Sequence, residues 1–252
     1  MRSIRRAPLD AALESNLRAR QAAIDAALAN GVPPSKSSWN TARQSTQILA
    51  ILGVLHDMAG TPQRCMYCLD SHGTDIEHFW PKARYPERMF VWLNFLLCCS
   101  ECGRIKGDKF PLIDTEPLLL DPTVDDPWAH LHFDPETGNL VAMWDVATSN
   151  YSAKGRATVE TFRLDRREAL AVQYQRTHGR LSAVVQKQLE DSAFNGDSLA
   201  EALRSVDDHG LLGWCFLGTG QRSPPFAQLK HSQPDTWDAC FTALRSALVH
   251  SD

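Results

Sequence analysis

The chain has 252 residues, 43% hydrophobic and 22% charged, with a formal net charge of −4, an ordinary balance for a soluble globular protein. No apolar run reaches bilayer-spanning length, and the basic start MRSIRRAPLD lacks a following apolar segment, which argues against a secretory signal. The expected setting is a reducing cytoplasm with no membrane association, where clustered cysteines bind metal more often than they form disulfides. The charge excludes a protein coated in cations, but not a local basic groove.

In chain order, residues 9–30 read as a helix with Leu13, Leu17, Ile24 and Leu28 on one face, stopped by Asn30-Gly31 and then Pro33-Pro34. Ser38 or Asn40 caps a second expected helix, running to about His56 with Ile48, Leu49, Leu52 and Leu55 buried. Both helices read as scaffold. A cysteine-bearing segment follows over 61–115. Leu118–Leu120 is a short apolar run ended by Asp121-Pro122, and LHFDPETGNLVAMWD reads as a β-hairpin turning at Pro135–Asn139. From Ala153 the helical period returns through Val159, Phe162, Leu181, Val184, Val185 and Leu189, with Gly179 or Gly196 as interruptions and a last helix near 235–249. Residues 111–150 carry eight acids and no Lys or Arg, whereas 151–190 carry eight Lys or Arg and four acids. That contrast fits either two solvated faces or an acidic partner surface beside a basic helix. Arg176, Arg180 and Lys187 would share a face of one continuous helix.

The chemistry-bearing pattern is two matched knuckles, Cys65-x2-Cys68 and Cys99-x2-Cys102, separated by 30 residues. Each CxxC turn brings two thiolates to one ion, and two turns complete a tetrahedron, which points to structural Zn2+. Cys98 competes for register with Cys99, but only Cys99 keeps the two-residue gap; Cys215 and Cys240 read as core. A closed four-thiolate site does no chemistry, so reactivity must lie in the insert. There, Asp75-Ile76-Glu77-His78-Phe79-Trp80-Pro81-Lys82 sets an acid directly before a histidine at a strand end. One side chain can hold a divalent ion while the other takes a proton from water.

The order C-x2-C, E-H-F-x-P-K, W-x-N-x-L-L, C-x2-C-x3-K-G-D-x-F-P over residues 62–112 resembles the HNH (His-Me finger) endonucleases. It looks most like the HNH subunit of Septu-type and retron-linked anti-phage systems, the PtuB group. The resemblance implies His78 as general base, Glu77 as ligand of a catalytic Mg2+ or Mn2+, and Asn94 as the brace of the hairpin. It also implies Cys65, Cys68, Cys99 and Cys102 as zinc ligands, with Lys82, Arg104 and Lys106 facing phosphates. After the last knuckle the family places Asn or His as a second metal ligand; here stands Gly103. Asp75, or Asp108, is the alternative ligand, and His72 the alternative base.

The expected fold class is α+β: a zinc-stapled ββα-metal site (61–115) between an N-terminal helical extension (1–60) and a hairpin-plus-helix region (116–252), all in one compact unit. The expected function is metal-dependent hydrolysis of DNA phosphodiesters in anti-phage defence. The chain contains no GxxxxGK[ST] motif, so ATP dependence would come from an ATPase partner in a hetero-oligomer. The alternatives are an RNA-cleaving (tRNA) effector and an inactive zinc-stapled adaptor.

Overall fold

The computed structural model describes residues 1–33 and 36–248. Pro34, expected to help stop the first helix, and Val249, at the expected end of the last one, lie outside them. The architecture is α+β, helical with small antiparallel sheets. In place of the single compact unit expected, the chain divides in two: Arg5–Tyr67 with Ser71–Pro111, and Met1–Ile4 with Cys68–Asp70 and Leu112–Asp252. The N-terminal helices and most of the cysteine-bearing segment thus share one unit.

In that unit α1 spans Ala11–Ala29, started by Asp10, whose carboxylate accepts the amides of Ala12 and Leu13. The expected second helix is two: α2, Lys36–Ala42, and α3, Thr46–Ala59. Ser45 breaks them apart, because its hydroxyl accepts from the Ile48 amide and so begins a new helix. The new register buries Ile48, Ile51 and Leu55 and leaves Leu49 53% exposed, against the expected stripe. α3 packs on strand β2, Phe95–Cys98. Strand β1, Asp75–His78, pairs antiparallel with β2 in the register Asp75↔Cys98, Ile76↔Leu97, Glu77↔Leu96 and His78↔Phe95. Phe95, Leu96 and Leu97 are fully buried, each worth about 1.5–3 kcal/mol of apolar transfer. Helix α4, Ser100–Lys106, follows directly, with Cys99 at its N-cap.

The second unit opens with a minimal ladder, β3 (Leu112–Ile113) on β4 (Glu116–Pro117). The predicted hairpin then forms: β5, Leu131–Phe133, pairs with β6, Leu140–Ala142. Asp134 closes the turn by accepting from the Glu136 amide and the Thr137 hydroxyl. Gly138 is required there twice over. Its φ is +77°, and a Cβ would lie 2.3 Å from the Ala171 carbonyl oxygen. The last residues of the predicted arm instead form a separate hairpin, β7 (Trp144–Asp145) with β8 (Asn150–Tyr151).

Helices α5 (Ala153–Phe162), α6 (Glu168–Asp191), α7 (Gly196–Val206), α8 (Leu212–Phe216), α9 (Phe226–Ser232) and α10 (Pro234–Leu248) complete the unit. α6 runs through Gly179 unbroken, whereas Gly196 begins α7 after an Asn195 cap. Its core gathers Phe133, Tyr174, Trp214 and Phe226. On α6, Arg180 is paired with Asp208 and Lys187 lies over Phe194, so two of the three cations of that face already have partners in their own unit. Among the described residues no helix is long and apolar enough to cross a membrane.

Candidate active site

The four cysteines converge. The Sγ atoms of Cys65, Cys68, Cys99 and Cys102 lie within 4.8 Å of one another, all buried. With zinc–sulfur bonds of about 2.3 Å, a tetrahedron needs sulfur spacings near 3.8 Å, so these residues fit a structural metal such as zinc. The backbone explains the convergence. The Met66 amide donates to the Leu97 carbonyl, which ties the first knuckle to β2. The second knuckle is the first turn of α4, where the Cys102 amide donates to Cys99 Sγ. Cys98, the register competitor, lies outside the cluster. Its Sγ is 4.0 Å from that of Cys65 and contacts the Cys99 carbonyl oxygen.

The hairpin ends on Glu77 and His78, which point to opposite sides of the strand. His78 is 2% exposed and lies between Trp39, 4.4 Å away edge-on, and Phe95. One ring nitrogen, Nε2, is 2.9 Å from the Met89 carbonyl oxygen. A carbonyl can only accept, so Nε2 carries the proton and Nδ1 is left as the basic nitrogen. Among the described residues, Nδ1 is buried without a hydrogen-bond partner. Burial holds the His78 pKa down to about 3, reinforced by the charges of Lys82 and Lys106 and opposed by the bond to Met89.

Asn94 is the brace of the loop between the strands. Its Oδ1 accepts from the Trp80 amide at 2.6 Å, and its Nδ2 donates to the carbonyls of Trp80 at 3.0 Å and Arg88 at 2.8 Å. The Phe79 amide donates to the Asn94 carbonyl. This network fixes both ends of the segment whose Met89 carbonyl orients His78.

Glu77 faces a groove of about 410 Å³, lined by Trp39, Asn40 and Arg43, by Thr74–Glu77 and Lys82, and by residues of the second knuckle and α4 including Gly103 and Arg104. Its Oε1 accepts from Lys106 Nζ at 2.7 Å. Burial raises the Glu77 pKa, and the Lys106 ammonium opposes that rise. Lys106, expected on a phosphate-facing surface, is instead fully buried. Its remaining reach goes to the His78 carbonyl at 2.7 Å, so it ties α4 to the end of β1. A buried ammonium needs such partners, and Glu77 and the His78 carbonyl supply them. A Cβ on Gly103 would lie 3.4 Å from Glu77 Oε2, so this glycine does face the carboxylate. Asp75, on the same side of β1 as Glu77, is paired with Arg43 at 2.6 Å.

Of the residues singled out from sequence, Asp75, Glu77, Lys82, Gly103 and Arg104 line this one groove. His78 lies behind Trp39, Asp108 does not line the groove, and His72 stacks on His56. Trp39, Asn40 and Arg43 were read as scaffold, and nothing local in their sequence marks them as groove residues.

The fold and site therefore define an α+β protein with a buried four-cysteine cluster that could hold a structural metal, beside a two-stranded acid–histidine hairpin. Comparison with known proteins finds similarity to the Septu protein PtuB of Bacillus thuringiensis, 30% identical over 112 residues. That match covers 42% of this chain and 38% of the relative's length. No family model matches the chain, and no solved structure matches it.

Proposed function

We propose that this chain is the nuclease subunit of an anti-phage defence system, hydrolysing DNA phosphodiester bonds with a divalent ion and working with an ATPase partner that gates it. The defence role rests on the similarity to Septu protein PtuB. The observation that carries the chemistry is His78 at the end of the hairpin, with Nε2–H tied to a backbone carbonyl and Nδ1 left as a lone-pair base. That is the tautomer a general base needs; burial holds its pKa down, so it becomes an effective base only once water reaches it.

In this reading Nδ1 takes the proton of a water as the water oxygen bonds to phosphorus and the bond to the leaving oxygen breaks. Met89 holds the imidazole in place through Nε2–H, and Asn94 holds the segment that carries Met89. Glu77 would hold the Mg2+ or Mn2+ through Oε2, and that ion supplies neutralisation of charge on the leaving oxygen. With Gly103 beside it, Glu77 offers one carboxylate and leaves the rest of the shell to water and phosphate, which Mg2+ accepts. Lys82 and Arg104 stand in the groove to meet phosphates; Lys106 serves Glu77.

A second reading has its own observation. The 2% exposure of His78, together with the missing side chain at Gly103, favours a zinc-stapled adaptor that binds but does not cut. One experiment separates the readings: purified protein, alone and with its ATPase partner, incubated with duplex DNA and with tRNA in Mg2+, wild type against His78→Ala. DNA cleavage that disappears in the variant supports the proposal. Cleavage confined to tRNA moves the substrate to RNA. No cleavage by the wild type under any arm favours the adaptor.

A further inference from the structure

Resting on that nucleic-acid reading, we propose that the N-terminal extension supplies part of the substrate grip: Arg43, just past the end of α2, acts with Lys82 as a two-pronged holder for a backbone phosphate beside Glu77. Three observations converge. First, Arg43 lines the groove, and among the described residues its guanidinium makes only an exposed contact, Nη2 to Asp75 Oδ1, with both side chains about half exposed. Exposed ion pairs contribute little and exchange readily. A guanidinium spending one of its five donors on Asp75 keeps a planar fork for two phosphate oxygens.

Second, the Lys82 ammonium is half-buried, 5.9 Å over the Trp39 ring, and among the described residues no carboxylate lies within ion-pair distance of it. Its surroundings disfavour the charged form, first by burial and then through the like charges of Lys106 and Arg43, against the attraction of Glu77. A cation kept in such a place without a partner is costly, and an anion entering the groove removes the cost.

Third, the groove is lined by three cationic side chains, Arg43, Lys82 and Arg104, against two acids, with the buried Lys106 behind them. The excess is positive although the whole chain carries −4. The chemistry that fits is a phosphodiester: one negative charge per unit, two non-bridging oxygens for the Arg43 fork, and a third contact from Lys82. On binding, Arg43 exchanges the Asp75 carboxylate for phosphate.

The test reads binding, not cleavage. Labelled duplex DNA and a tRNA are titrated with protein at several salt concentrations in buffer without added Mg2+ or Mn2+. Arg43→Ala should weaken binding about tenfold, the scale of one charge-assisted contact. It should also flatten the log–log salt dependence by about 0.7–0.9, the counterions of one phosphate. Asp75→Asn should act in the opposite direction and tighten binding severalfold, because it releases the fork and removes a repelling carboxylate. If Arg43 only fastens α2 to the hairpin, the two substitutions weaken binding alike and the salt slope stays put; that result overturns the inference. Arg43→Lys keeps the charge without the fork and should fall between wild type and Arg43→Ala, which holds the test open if the alanine variant folds poorly. Binding that Arg43→Ala leaves unchanged overturns this inference alone, whereas a wild type that binds neither polymer overturns it together with the nuclease reading beneath it.

Discussion

Replacing Asn94 with alanine tests the chain of contacts that orients His78. The side chain is 2% exposed and makes three hydrogen bonds, one accepted from the Trp80 amide and two donated to the carbonyls of Trp80 and Arg88. Each is worth about 1 kcal/mol net, and stranding the Trp80 amide adds about another, so the loss should total ~4 kcal/mol. For a chain of this size that corresponds to a drop of roughly 8–16 °C in Tm. Differential scanning calorimetry reads the shift. Asn94→Asp keeps the acceptor for the Trp80 amide but loses both donated bonds and buries a charge, so it should fall at least as far. Cleavage should fall too, although Asn94 lies outside the groove, because the Met89 carbonyl is carried on the braced segment. A Tm change below about 2 °C would refute the energetic reasoning. Full cleavage by Asn94→Ala, where His78→Ala has none, would refute the claim that this loop positions the base.

Three further outcomes are expected. Metal analysis should find one zinc per chain, and Cys99→Ser should lose both the metal and much of the stability, since binding energy here is also folding energy; an unchanged melting curve would end the structural-zinc assignment. Gly103→Asn should lower the Mg2+ concentration for half-maximal cleavage, because the added Cβ meets only Glu77 Oε2 at 3.4 Å and Cys98 Sγ at 3.8 Å, both ordinary contacts, while Glu77→Ala should be as damaging as His78→Ala. A wild type saturated at micromolar Mg2+ would contradict a single-carboxylate site. Finally, His78 titrates near 3 when folded against 6.5 for the ordinary side chain. Between those values the unfolded chain holds a proton that the folded one refuses, so stability is lost as pH falls below about 6.5. From pH 7 to 4.5 wild type should lose about 2–3 kcal/mol more than His78→Leu; parallel stability curves for the two proteins would rule out a buried neutral imidazole.

Much of the fold class was readable along the chain because its signals are local. The paired CxxC spacing, the turn residues at 134–139 and the helical period after Ala153 each act over a few residues, and the structure has a cysteine cluster, a hairpin and helices there. The acid–histidine step at 77–78 was legible for the same reason, as was the absent side chain at 103. Local reading failed where a neighbour far along the chain decides. Lys106 looked like a surface cation until Glu77, 29 residues away, gave it a buried partner. Arg43 looked like scaffold until Asp75, 32 residues away, drew it to the rim of a groove. The break at Ser45 moved Leu49 out of the core, because a hydroxyl cap can restart a helix within an unbroken apolar pattern. The burial of His78 behind Trp39 belongs to the same class. Sequence periodicity says which face of an element is apolar, but not which element covers it, and a charge's surroundings are set by packing across the whole unit. So the residue types of the site came from sequence, and their exposure, partners and protonation came from tertiary structure.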